Sequence, residues 1–228
     1  MFAPKEYRVN KMLDYLEDKY GEKFVEEYFE PGGMIYPGKS EGDSMMVYPE
    51  KNKELPFNVH KNMKKSGYND NYVSASLSYQ FTEKYKSGVE KLDNREKAIK
   101  FFFALSNRPH DPSTINTPID DFAKDMSYEG EIELFVAVSA ESDQDYKKDA
   151  KFLRDLYSYM LKITNRNFLI SVAYVQKNKF QPAKDLIRIS HTTNFAWTWM
   201  GDGFMRDITF KGDRTVQNIG YFEDMVGR

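Results

Sequence analysis

The sequence predicts an α+β fold: a mixed, mainly antiparallel sheet, or sheets, with helices packed on one face. Three observations carry this. Segments with apolar residues at three- and four-residue spacing are interspersed with segments that alternate apolar and polar. The alternating segments are short and mostly separated by Pro- and Gly-containing turns, as in hairpins. A single pair of strand-like segments, near 132–138 and 168–175, is separated by a long helical stretch of the kind a parallel crossover needs.

The first element is a helix over residues 5–20. Val9, Met12, Leu13, Leu16 and Tyr20 line one face, and Gly21 is a natural stop. A strand follows from Lys23 to Phe29, then turns at Pro31-Gly32-Gly33 and Pro37-Gly38. Ser44 to Tyr48 reads as a short strand. Leu55, Phe57 and Val59 alternate with Pro56, Asn58 and His60, a strand whose proline favours an edge position. After a turn at 66–70, residues 71–91 form a helix with Val73, Leu77, Phe81, Tyr85 and Val89 four residues apart.

Asp93 and Glu96 stand at capping-box spacing before Ile99, Phe102 and Phe103, which predicts a further helix. Ser106 to Pro118 holds three prolines without a period and marks a boundary or a mobile loop, followed by a short helix at 119–126. Ile132, Leu134, Val136 and Val138 mark a strand. A long helix spans 142–163, and the almost wholly apolar 168–175 is a central strand. Leu186 to Ser190 is expected to return antiparallel, and Phe204 to Phe210 to add a last strand. The chain thus divides into a helix-strand-strand-strand-helix part, 1–92, and a strand-helix-strand-strand part, 93–228, which can also form one continuous domain.

Composition narrows the function classes. The chain has 228 residues, 40% hydrophobic and 30% charged, enough for a core and too apolar for disorder. Lys and Arg number 33 against 35 Asp and Glu, which provides no electrostatic footprint for nucleic acid. No stretch is apolar enough for a transmembrane segment. Residues 1–7 contain no hydrophobic signal core, so either the protein is cytosolic or the sequence begins after a removed export segment. Cysteine is absent, which excludes disulfides, thiolate metal sites and a cysteine nucleophile.

No catalytic motif, metal-ligand spacing or cofactor fingerprint is present, so no catalytic residue, metal or cofactor is expected. His60 reads as a surface residue on the polar face of its strand. His110 has Asp111 beside it, as a base and its orienting carboxylate would, although a Pro-bounded loop explains the pair as a turn. His191, before Thr192, Thr193 and Asn194, is the histidine best placed at the rim of a site. Asp70 and Asp120-Asp121 can bind a hard cation, but turn and helix-start chemistry explains them more simply. Glu131 and Glu133 share a strand face, which solvation accounts for better than glycoside chemistry.

The most unusual stretch is Thr192 to Phe204, TTNFAWTWMGDGF, with both tryptophans of the chain. If extended, it places Phe195, Trp197 and Trp199 on one face. Tryptophan anchors interfaces and stacks on sugars; the alternative is that these rings close the core. Trp197, Trp199, His191 and Asp202 are therefore the candidate binding residues, Asp202 lying in the tight turn Gly201-Asp202-Gly203.

The phrases YLEDKYGEKF (15–24), YPEKNKELPFNVHKN (48–62) and SGYNDNYVSASLSYQFTEKY (66–85) resemble a loose class of uncharacterised proteins from Gram-positive bacteria, many with the look of exported lipoproteins or membrane-tethered proteins. The resemblance covers about the first ninety residues and carries no catalytic residue. It implies an extracytoplasmic location, membrane-tethered in the full-length form. Three functions follow in order: a non-enzymatic binding module of a bacterial cell envelope, with a protein or cell-surface ligand as partner; a cytosolic, immunity-type protein-binding factor; and a hydrolase with a dispersed site.

Overall fold

The computed structural model describes residues 3–36, 39–142, 145–193, 196–212 and 218–227. Helix α1 (Lys5–Tyr20) buries Val9, Met12 and Leu16. It ends where Gly21 takes a left-handed φ of 71° and donates its N–H to the Glu17 carbonyl at 2.8 Å, a conformation glycine enters without a Cβ penalty. Strand β1 (Phe24–Glu30) leads into a hairpin of β2 (Gly33–Tyr36) and β3 (Lys39–Glu41). The expected turn at Pro37-Gly38 lies outside the described residues.

Strands β4 (Ser44–Pro49), β5 (Phe57–Lys61) and β6 (Tyr68–Asp70) join β1 in an antiparallel sheet of order β1-β4-β5-β6. Strand β5 is internal, not the edge that Pro56 suggested. The proline sits just before the strand, where its missing N–H costs no ladder bond. Helix α2 (Tyr72–Glu90) runs between two cores. Tyr72 and Ala75 join the core of α1 and the first sheet, while Val73, Leu77 and Phe81 join the second.

The second sheet contains β7 (Lys97–Leu105), β8 (Gly130–Ala140), β9 (Phe168–Gln176) and β10 (Phe204–Gly212), in the order β10-β9-β8-β7. Strands β8 and β9 are parallel, as the crossover predicts, and the other pairs are antiparallel. The chain is an α+β protein with mostly antiparallel sheets.

Three local expectations are corrected. Residues 97–105 form a strand, not a helix. Phe101, Phe103 and Leu105 alternate into the core, and the β preference of clustered aromatics outweighs the capping-box spacing. Leu186 to Ser190 belongs to helix α5 (Phe180–Ile189), not to a strand. Phe180, Ala183, Leu186 and Ile187 form its buried stripe, and Pro182 is tolerated in the first turn. The long helix expected from Ser142 begins later, as α4 (Ala150–Ile163), after a short 3-10 turn at Asp145–Lys148. Asp145 there accepts the N–H groups of Glu141 and Ser142 at 2.9 and 3.1 Å, holding the chain in a tight turn.

Helices α2, α4 and the C-terminal α6 (Ile219–Gly227) cover one face of the second sheet, against Leu134, Val136, Ile170 and Val172. Helix α5 lies on the other, against Ala137, Ala173 and Val175. The short helix α3 (Ile119–Lys124) contributes Phe122 to the main core.

Strand β7 is a sheet edge, and α2 covers it chemically as well as sterically. Thr82 Oγ1 accepts the Phe101 N–H at 2.9 Å and lies 3.2 Å from the Phe101 carbonyl, and Ser78 Oγ accepts the Phe103 N–H at 3.1 Å. Side-chain hydroxyls thus replace the neighbouring strand that an edge lacks.

Candidate functional site

The edge of β7 forms the floor of a cleft of about 380 Å³. One wall is α2, with Ala75, Tyr79 and Thr82; the other is α5, with Ile187 and Arg188. Leu55, from the loop before β5, closes one end. Apolar side chains therefore form much of a pocket otherwise bordered by charge. Its polar lining comprises Lys86, Lys97, Lys100, Lys184, Arg188 and His191, with Glu54 and Glu83 as the carboxylates.

Most of these cations already have anionic partners. Lys86 meets Glu83 and Lys184 meets Glu96, each at 2.6 Å. Arg188 forms a two-nitrogen pair with Glu27, and Lys97 approaches Asp93 at 3.4 Å. Lys100 differs. Its residue is 9% exposed, and among the described residues no carboxylate lies within ion-pair distance of its amine. The amine instead donates to the Arg188 carbonyl at 2.6 Å and meets Nδ1 of His191. Alternation explains its position: Phe101 and Phe103 point into the main core, so Lys100 and Phe102 take the opposite face of β7, toward α5.

His191 follows α5 and joins the two halves. Nε2 faces the carbonyl of Pro56, which can only accept, so Nε2 carries the proton. Nδ1 is then an acceptor for Lys100, and the ring stacks on Phe102 at 5.7 Å. Neighbouring contacts fix this junction. Asn58 Nδ2 donates to the Thr192 carbonyl at 2.6 Å, and Arg188 reaches the Lys53 carbonyl at 3.1 Å. Burial holds the Lys100 amine well below the ordinary lysine value, with the nearby Arg188 charge adding to the effect. Burial likewise holds His191 well below the ordinary histidine value, and Lys100 acts in the same direction. Burial thus disfavours the charged form of both groups, against a smaller opposing pull from Glu54 on Lys100.

The four candidate residues from sequence separate. His191 is half-buried and lines the cleft, with the hollow of His60 and His110 on its other side. Trp197 is 6% exposed and packs in the core under α5, where its indole donates to Ser171 Oγ at 2.8 Å. Its expected place on a binding face is therefore corrected. Residues 197–203 form a 3-10 turn, so the two indoles do not share the face an extended segment would create. Trp199 is 56% exposed and lines a separate groove of about 350 Å³ with Met46, Pro182, Leu186, Ile189 and Met200. Asp202 has a 97% exposed side chain, 3.7 Å from Lys179, and lines neither hollow. Phe195 lies outside the described residues.

His60 and His110 share a hollow of about 430 Å³ with Arg108, and His191 borders it from the other side. Asp70 also lines it, but its carboxylate is occupied. It accepts from Tyr15 and Lys19 at 2.7 Å each, from Tyr20 at 2.5 Å, and from the Tyr72 N–H at 3.1 Å. Among the described residues, no group of three or more metal-ligating side chains could hold a metal ion. Among the described residues, neither His110 nor His191 hydrogen-bonds a carboxylate. Among the described residues, no helix is long and apolar enough to cross a membrane.

Sequence reasoning missed Lys100 because its segment was expected to be helical. An available signal was Lys100 opening the aromatic run KFFF, a charge sharing one strand face with Phe102 if the segment is extended.

No family model matches the chain, and neither does any curated protein. Among solved structures it is similar to a DUF5037 family protein from Ruminococcus gnavus. The two share 14% identity and a TM-score of 0.60, over 96% of this chain and 98% of the other. At that identity the likeness is one of fold.

Proposed function

We propose that this chain is a non-enzymatic binding protein whose ligand is a small organic anion held in the cleft between α2 and α5. The observation that supports this most is Lys100, a buried amine that lines the cleft without a carboxylate partner. A buried cation is costly unless paired, so an arriving anion would favour the charged amine and recover the cost of burial. The surrounding Leu55, Ile99 and Ile187 suit an apolar body attached to that anion. The test is calorimetric titration with terephthalate, an aromatic dianion. Saturable binding to the wild type that Lys100→Met reduces at least about tenfold, the loss of roughly 1.4 kcal/mol, supports the proposal. Equal affinity of the two proteins, or no binding, contradicts it.

The extracytoplasmic, membrane-tethered location belongs to the same proposal. Its support is the resemblance of residues 15–24, 48–62 and 66–85 to a loose class of uncharacterised Gram-positive proteins, many with the look of exported lipoproteins. Fractionation of the native host checks it: recovery with membranes or outside the cell agrees, and recovery in the cytosol favours the immunity-type alternative.

A second interpretation, a protein partner at the Trp199 groove, has its own observation. An indole exposed beside Met46, Leu186 and Ile189 is the kind of anchor that interfaces use. Quenching of Trp199 emission by a captured partner would favour it.

A further inference from the structure

The arrangement around Lys100 has a chemical consequence beyond reversible ion pairing. A neutral primary amine has two N–H bonds and one lone pair. At Lys100 two neighbours can each take one N–H: the Arg188 carbonyl at 2.6 Å, and His191 Nδ1, which is an acceptor because Pro56 fixes the other ring nitrogen as the donor. The lone pair is the bonding direction left over, in a side chain that lines a cleft of about 380 Å³. An amine made nucleophilic by desolvation beside another cationic group is a recurring basis of Schiff-base chemistry.

We propose that Lys100 captures carbonyl ligands covalently: its Nζ forms a reversible imine with an aldehyde or ketone that also carries a negative charge. This rests on the cleft being an anion site. In the first step the Nζ lone pair bonds the carbonyl carbon, and the C=O π pair moves to oxygen. His191 Nδ1, already at hydrogen-bond distance, takes the proton that leaves the nitrogen and returns one to the departing oxygen. Loss of that hydroxyl as water leaves C=N. Amine plus carbonyl yields imine plus water, so no oxidant or reductant is required. Uptake of one proton from solvent makes the imine a buried cation, which no described protein carboxylate reaches at ion-pair distance and which the carboxylate of the ligand can pair.

Structural packing alone accounts less well for Lys100. A methionine or leucine would fill the volume without desolvating an amine. The Arg188 carbonyl lies near the end of α5, where helix carbonyls without partners are ordinary and solvent can serve them.

The test uses the whole chain and 4-formylbenzoate, an aromatic aldehyde with a carboxylate, in the presence of cyanoborohydride, which reduces an imine to a stable secondary amine. The expected result is one adduct, mapped to Lys100, formed roughly tenfold faster or more than at any exposed lysine, since each pKa unit of depression raises the neutral fraction about tenfold. Terephthalate, which cannot form an imine, is expected to slow labelling, and uncharged benzaldehyde to label Lys100 more slowly. The outcomes separate the two proposals. Terephthalate binding without preferential Lys100 labelling leaves the anion site standing and overturns the imine. Equal labelling by benzaldehyde and 4-formylbenzoate, unaffected by terephthalate, overturns the anion requirement and with it the proposal as stated. Labelling of surface lysines alone, with no terephthalate binding, overturns both. His191→Gln, which keeps a polar group of similar reach, is expected to slow adduct formation at least about fivefold; an unchanged labelling rate removes the imidazole from the step.

Discussion

Lys100 and His191, ninety-one residues apart, meet nitrogen to nitrogen beneath a cleft, the amine on an edge strand of one sheet and the imidazole anchored to the carbonyl that precedes a strand of the other. Neither has a carboxylate partner among the described residues, and burial disfavours the charged form of both. The protein therefore holds two ionisable groups where an apolar pair would be stable, an arrangement characteristic of sites more than of cores.

Stability is expected to rise with pH across the neutral range on this account. The sign follows from proton counting. His191 has its value lowered on folding, so as pH falls through the ordinary histidine value near 6.5 the unfolded chain takes up a proton that the native chain refuses, and stability is lost. Lys100 is also lowered. Between its native value and the ordinary 10.5 the unfolded chain holds the extra proton, so stability increases as pH rises toward 10.5. Buried tyrosines oppose this at the alkaline end: Tyr15, Tyr20 and Tyr72 are raised, chiefly by burial, so their native forms resist ionising above about 10. Thermal melts from pH 5 to 9 check the slope, which Lys100→Met is expected to reduce.

At pH 7, Lys100→Met is expected to be neutral or to stabilise the fold by about 1 to 3 kcal/mol, as replacing buried charges by apolar residues often does. Urea denaturation measures it. A large loss instead would mark Lys100 as structural.

Asp70 is the opposite case, a carboxylate whose burial is fully compensated. With a 1% exposed side chain it holds Tyr15, Lys19 and Tyr20 of α1 and the Tyr72 N–H of α2. Burial pushes its pKa up, and the hydrogen bonds from Lys19, Tyr20 and Tyr15 more than offset that, leaving it below the ordinary carboxylate value. Asp70→Asn is expected to cost about 1 to 3 kcal/mol, because it weakens the buried acceptor that Tyr15, Lys19 and Tyr20 share. The carboxylate contributes fully above its unfolded value near 3.8, and that contribution disappears as pH falls through the lower native value. The variant should therefore lose less stability than the wild type on acidification below pH 4.

Thr82 tests the edge cover of β7. Thr82→Val keeps the shape and removes the hydroxyl that serves the Phe101 N–H, which is expected to cost about 1 to 3 kcal/mol. Amide exchange should accelerate at Phe101 more than at Phe103, which Ser78 holds.

The two tryptophans should behave differently toward a soluble quencher. Trp199 is open and Trp197 closed, so Trp199→Phe is expected to leave blue-shifted emission that acrylamide barely touches. Emission that remains readily quenched would contradict the placement of Trp197.

Much of the fold is legible wherever one period dominates. The stripe Val9, Met12, Leu16 specifies α1, and the apolar run 168–175 specifies the central parallel strand. Legibility ends where two periods fit the same residues. Phe102 and Phe103 suit a helical stripe after Asp93 and Glu96, and only packing against α2 decides for a strand. Leu186 to Ser190 suits a strand until Phe180 and Ala183 are counted on the same helical face. Both ambiguities fall on the walls of the cleft, so the site disappears with them. The Lys100–His191 contact also depends on the order β9-β8-β7 and on the seat of α5, neither of which local pattern encodes. The tryptophans drew attention because they are rare, yet rarity does not distinguish a core indole such as Trp197 from an exposed one such as Trp199.

That Lys100 is a buried amine without a carboxylate partner, open to an arriving anion, is tested by an NMR titration of the lysine side chains, with Lys100→Arg to assign the signal. The expected result is one amine that titrates well below all the others and moves upward when terephthalate is added. A Lys100 signal that titrates with the exposed lysines, or one that terephthalate leaves unmoved, would contradict the account.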